Sequence, residues 1–127
     1  MGGDRRRREF REALKRLEEA YSTALAHQGG ELFPYLRDSV IQRFEIAVEL
    51  TWKAIKEKLL EEGAPCRSPK GCVRAFFEAG FIGEETAREL LKLIDLKNLT
   101  SHTYSQEVAD GLFKEIGRLM GALKGLW

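Results

Sequence analysis

Between Arg37 and Glu62 the apolar residues recur at steps of three and four, and on more than one side of the implied helix. Ile41, Phe44, Val48, Trp52, Ile55 and Leu59 form one stripe, and Ile46, Leu50, Ala54 and Leu60 widen it. A helix apolar over so much of its surface must be covered by several neighbours. The chain therefore has to supply other helices, or a second copy of itself, around this one. One polar row interrupts the pattern: Gln42, Glu45, Glu49 and Lys53 step by three, four and four. It is either a solvated face carrying a Glu49–Lys53 pair or the lining of a cleft.

The flanking segments read as helices too. Phe10, Leu14, Leu17, Tyr21 and Leu25 predict a first helix from about Asp4, as its cap, to about Gln28, ended by Gly29-Gly30. Pro34 is a candidate first residue of the second helix. Ser68-Pro69 has the N-cap and first-position pattern of a short third helix that stops at Gly80. Glu84-Glu85 open a fourth helix with Leu90, Leu91 and Ile94 on its apolar side, and Ser105 caps a last one. That last helix places Val108, Leu112, Ile116, Leu119, Leu123 and Leu126 at helical spacing. Gly117, Gly121 and Gly125 recur within it, each costing up to about 1 kcal/mol against Ala, which implies a close approach by another helix. No alternating strand pattern, repeat or linker appears. The expectation is one domain over residues 1–127, all-α, an antiparallel up-and-down four-helix bundle with one extra short helix.

Length and composition narrow the function. A chain of 127 residues can bury roughly 65–70% of its unfolded surface without a staple. With 21 basic and 20 acidic residues, net charge +1, nothing pulls the whole molecule toward nucleic acid or membrane. No apolar run reaches the length of a membrane span. Arg5 to Arg8 follow Met1 with no apolar core behind them, so no secretory leader is expected and the location is read as cytoplasmic. Cys66 and Cys72, with five residues between them and no His nearby, are read as reduced thiols and not as a metal site. No metal or cofactor is expected.

The chemistry is concentrated in Asp95-Leu96-Lys97-Asn98-Leu99-Thr100-Ser101-His102-Thr103-Tyr104. On a helix, Asp95, Asn98 and His102 form one row, and Lys97, Ser101 and Tyr104 a second. Phosphate-loop, nucleophile-elbow and zinc-protease motifs are absent. One reaction needs only a His and a cation: RNA cleavage by its own 2′-hydroxyl. His102 suits the general base, Lys97 stabilises phosphate charge, Asn98 orients, and Tyr104 offers a hydroxyl or a stacking ring. The alternative is that His102 and Tyr104 merely cap the helix end. Glu45 or Glu49 is expected close to His102, from the same or a facing subunit.

Lys97-Asn98-x-x-x-His102-x-Tyr104 resembles the signature of HEPN domains: an Arg, often followed by Asn, with a His four to six residues on and, in one branch, a Tyr two beyond. The likeness is closest to the nucleotidyltransferase substrate-binding branch, relatives of the HepT toxins. It extends to Arg37-Asp38-Ser39-Val40-Ile41-Gln42-Arg43-Phe44-Glu45, Glu49-Leu50-Thr51-Trp52-Lys53 and Ser68-Pro69-Lys70. The resemblance implies a helical-bundle homodimer and a separately encoded minimal nucleotidyltransferase as partner, with nucleotide or RNA as further ligands. It implies a substrate-binding subunit, with Asp95, Asn98, Ser101, Glu45 and Glu49 as substrate-binding candidates. It also carries an alternative: a metal-independent ribonuclease toxin using Lys97 and His102, neutralised by the partner through adenylylation of Tyr104. One departure stands out. The motif Arg is Lys97, which keeps the charge but loses the bidentate fork for phosphate.

Overall fold

A computed structural model describes residues 2–101 and 105–127. Helix α1 (Gly2–Ala26) and α2 (Phe33–Glu61) form a long antiparallel hairpin; α3 (Pro69–Glu78), α4 (Glu84–Thr100), α5 (Gln106–Leu119) and a four-residue α6 (Gly121–Lys124) complete the bundle. Two cross-links fix the hairpin direction. Arg43 donates to the Arg16 carbonyl at 3.1 Å, while Arg6 lies 3.9 Å from Glu57 at the other end. No strand occurs among the described residues.

The helix ends follow local chemistry. Gly29 and Gly80, both at φ 84°, sit just past α1 and α3 in the left-handed conformation that only Gly adopts cheaply. Ser68 and Ser105 accept from the Gly71 and Val108 amides at 3.0 and 3.1 Å, capping α3 and α5 as their sequence pattern predicts. The start of α1 differs: the helix begins at Gly2, and Asp4 lies inside its first turn, bonded to Arg7. Likewise α2 begins at Phe33, ahead of Pro34, because the fixed φ of proline is compatible with a first turn.

Helix α2 is the centre. It contacts α1, α3, α4 and α5, and Phe44, Ala47, Ile55 and Leu59 are fully buried along it. Burying each of the larger side chains stabilises the fold by about 1.5–3 kcal/mol. Ile46 and Leu60, which the periodicity places with the covered residues, are instead exposed at 49% and 61%. The packing partners of α2 leave uncovered the flank that Ile46 shares with the polar row.

Two further expectations are corrected. Cys66 and Cys72 are not free thiols but form a disulfide. The Ser68 cap and Pro69 turn the chain sharply at the start of α3, so the two Cα atoms come within 5.1 Å, in bonding range. Spacing alone does not reveal that turn. The last helix is not continuous either. It tightens at Met120 into α6, where Leu123 and Leu126 bond back by three residues. The weak helix propensity of Gly121 makes this cheap, and it seats Leu123 and Leu126 in the core. Trp127 comes edge-on to Phe10, with ring centroids 5.5 Å apart. Val108 turns outward at 50% exposure; the core side of α5 is Ala109, Leu112, Phe113 and Ile116.

Only one rung of the glycine ladder is a close approach. A Cβ on Gly117 would lie 2.0 Å from the Tyr21 hydroxyl oxygen, whereas Gly121 and Gly125 meet nothing within 4 Å. Tyr21 cannot swing freely, because its ring stacks on Phe113 at 4.9 Å. Gly117→Ala should therefore destabilise by about 1–3 kcal/mol. Gly111→Ala, on an exposed and unobstructed face of α5, should instead stabilise by up to about 1 kcal/mol. Urea denaturation of the two variants checks both signs.

Candidate functional site

The polar end of α4 faces α2. Lys97, half-buried, points its amine at Glu49 with Nζ 3.9 Å from Oε2. The same carboxylate accepts from the Trp52 indole N–H at 3.0 Å and lies 3.5 Å from the Lys53 amine. The Trp52 bond holds the Glu49 carboxyl below the usual carboxylate range. Burial works against that shift, and the Lys53 and Lys97 charges add to it. The Glu49–Lys53 pair is present, and the same carboxylate borders a shallow groove beside Lys97. Glu45, Ile46 and Leu50 border the same shallow groove.

A second, larger cleft of about 560 Å³ opens between the first turns of α2, the end of α4 and the start of α5. Glu45 borders both hollows, and Thr100 and Ser105 mark the cleft's far wall. Arg37, only 5% exposed, lies along it. Its guanidinium donates to Asp38 and, across the bundle, to Asp110 of α5, each at 3.0 Å. Burial opposes the charge, but the two carboxylates outweigh it and hold the group even more firmly protonated than a free arginine.

Within the described part of the motif segment, Lys97 and Asp95 meet different neighbours. Lys97 turns toward α2, whereas Asp95 pairs with Lys70 of α3 and is exposed. Asn98 and Ser101 are also exposed, and the Ser101 hydroxyl donates to the Asn98 carbonyl at 3.1 Å. Thr100 is buried and donates to the Lys97 carbonyl at 2.7 Å. These hydroxyls satisfy the last carbonyls of α4, as residues that compete for backbone bonds do at helix ends. His102 and Tyr104 lie outside the described residues, and with them the expected approach of Glu45 or Glu49 to His102.

Arg37, quoted above only as part of the resemblance, and Asp110 are site residues to which motif reasoning assigns no role. The signal for Arg37 is its register: it sits four residues before Ile41 and seven before Phe44, on the buried stripe. A charge there requires a partner. No signal singles out Asp110 from the other charged residues of the last helix.

The lowered Glu49 carboxyl has a pH consequence. A folded value below the unfolded one adds stability at neutral pH, which is lost as pH falls through the folded value. The stability difference between the native chain and Glu49→Gln should hold steady above about pH 5 and shrink below about pH 4. Urea midpoints measured from pH 7 to pH 3 test this.

Comparison with known proteins agrees with the architecture. A family model described as nucleotidyltransferase substrate binding protein like matches residues 5–126. A Thermus thermophilus protein of known crystal structure is 38% identical, over 86% of this chain and 96% of that one, with a TM-score of 0.67. A Shewanella oneidensis HEPN toxin, solved tri-AMPylated in complex with an MNT antitoxin, is 16% identical over 96% of both chains, TM-score 0.64. A mutant MntA–HpeT toxin–antitoxin complex aligns equally well. At that identity the likeness of the last two is one of fold. No curated protein matches the chain significantly. With the family model spanning nearly the whole helical bundle, this chain belongs to the nucleotidyltransferase substrate-binding protein-like family.

Proposed function

We propose that this chain is the substrate-binding subunit of a two-protein nucleotidyltransferase system of the toxin–antitoxin kind, paired with a separately encoded minimal nucleotidyltransferase. The family match supports the pairing, and two solved structures of the same fold are toxin–antitoxin complexes, with an MNT antitoxin in one and MntA in the other. The observation that carries the binding role over ribonuclease activity is the state of Lys97. Its amine is shared with the Glu49 carboxylate, which Trp52 holds ionised. An ammonium lacks the planar fork that meets two phosphate oxygens at once, and the Glu49 carboxylate 3.9 Å away adds a competing negative charge. Losing one preorganised contact of this kind typically costs about 10²–10³ in rate.

The subunit acts as a homodimer, the commonest closed assembly. Ile46 and Leu50 form the apolar rim of the groove beside Lys97, so a two-fold contact there would bring two copies of the polar segment together. Asn98, Ser101, Glu45 and Glu49 then border the substrate, with Asp95 and its Lys70 partner at the margin. Tyr104 is the acceptor if the partner transfers AMP to this chain.

Two experiments test these roles. Single-stranded RNA should survive incubation with the wild type. Cleavage that appears in Lys97→Arg and is removed by a further His102→Ala marks the site as a weakened nuclease. Efficient cleavage by the wild type, lost in His102→Ala, refutes the binding role. In light scattering, the wild type should run as a dimer at micromolar concentration and Ile46→Asp as a folded monomer; a monomeric wild type refutes the assembly.

A further inference from the structure

The connection between α2 and α3 carries a feature that neither cleft uses. Cys66 is half-buried between exposed Pro65 and Arg67; Cys72 lies in the first turn of α3 with no exposed surface. Their bond spans the Ser68 cap and closes a short ring. We propose that Cys66 and Cys72 form a reversible thiol–disulfide couple, a redox-sensitive clasp that fixes the α2–α3 connection to the first turn of α3.

The reducing partner is a small thiol of the glutathione class. Its thiolate attacks Cys66 Sγ, because Cys66 is the less buried residue of the pair. The S–S bond breaks, and its electron pair leaves on Cys72 Sγ. A thiolate there sits in the first turn of α3, at the end where the helix dipole favours an anion. A second thiolate attacks the mixed disulfide, expels Cys66 as a thiolate and departs as the oxidised disulfide. Both cysteines then take up protons, so two electrons and two protons pass to the protein. Glutathione disulfide reverses the sequence.

The consequence is local. Glu62 to Arg67 form no helix and are held otherwise by the turn at Gly63 and an Ala64 amide bond to the Leu59 carbonyl, 2.8 Å. Helix α3 keeps its own anchors when the bond opens: Val73 and Phe76 in the core and Lys70 on Asp95 of α4. Reduction therefore loosens the connection and leaves the bundle folded.

Trypsin reports this directly, because Arg67 is exposed inside the ring. As purified in air, the full chain should show no free thiol under denaturing conditions, two after dithiothreitol, and none again after glutathione disulfide. Cleavage after Arg67, read by mass spectrometry, should speed up on the order of tenfold on reduction, with the helical circular dichroism unchanged. Cys66→Ser, which leaves buried Cys72 in place, should be cut at the faster rate with or without dithiothreitol. Thiols that stay free in glutathione disulfide, or equal cleavage rates in the two states, overturn the proposal. So does loss of helix on reduction, because the bond would then be holding the whole fold.

Discussion

Arg37 is the interaction on which the geometry of the cleft depends. A guanidinium at 5% exposure is costly unless carboxylates meet it. Asp38, its neighbour on α2, cannot tie the helix to anything else. Asp110 can, because it reaches from α5 across seventy-three residues of sequence. The pair therefore sets where the start of α5 sits relative to the start of α2. Ser105, the cap of α5, stands in the cleft wall at the place this pair determines. Removing Asp110 would leave Asp38 alone to meet the buried Arg37 charge and would cut the tie between α2 and α5.

A second carboxylate organises the groove alongside. Glu49 gathers an indole N–H and two ammonium groups around itself. Its neighbours on α2 are exposed or half-buried apolar residues, Ile46 and Leu50. The result is a charge cluster set in an apolar rim, an arrangement suited to contact with another protein surface, where a dry margin strengthens the polar centre. Lys97 thereby belongs to two structures at once, the end of α4 and the flank of α2.

The bundle was legible because each main helix repeats its apolar residues at helical spacing, and Ser68, Ser105, Gly29 and Gly80 mark ends by chemistry that acts within a few residues. What sequence spacing missed depends on distance through space. The Cys66–Cys72 bond arises from a turn whose angle no periodicity encodes. The break at Met120 arises because seating Leu123 and Leu126 outweighs a straight helix. Within the site, Lys97 and Glu49 were both read from their sequence, and the fold brings them together. Asp95, read as sharing a row with Asn98, is drawn aside by Lys70, a residue twenty-five positions away that only the α3–α4 packing brings near.

The charges around the larger cleft bear on which ligand suits it. Among its described lining residues Glu31, Asp38 and Glu45 are acidic and Arg37 alone is basic, a balance of three carboxylates against one guanidinium. That guanidinium is already bonded to Asp38 and Asp110. A strand of RNA brings one negative charge per nucleotide, and proteins that bind it meet those charges with free Lys and Arg. Lys97, the cation of the neighbouring groove, is held at Glu49. The described lining residues of the cleft therefore carry more negative than positive charge, and their one guanidinium is already paired. This charge balance and the presence of Lys97 are the two features that bear on the recognition role proposed above.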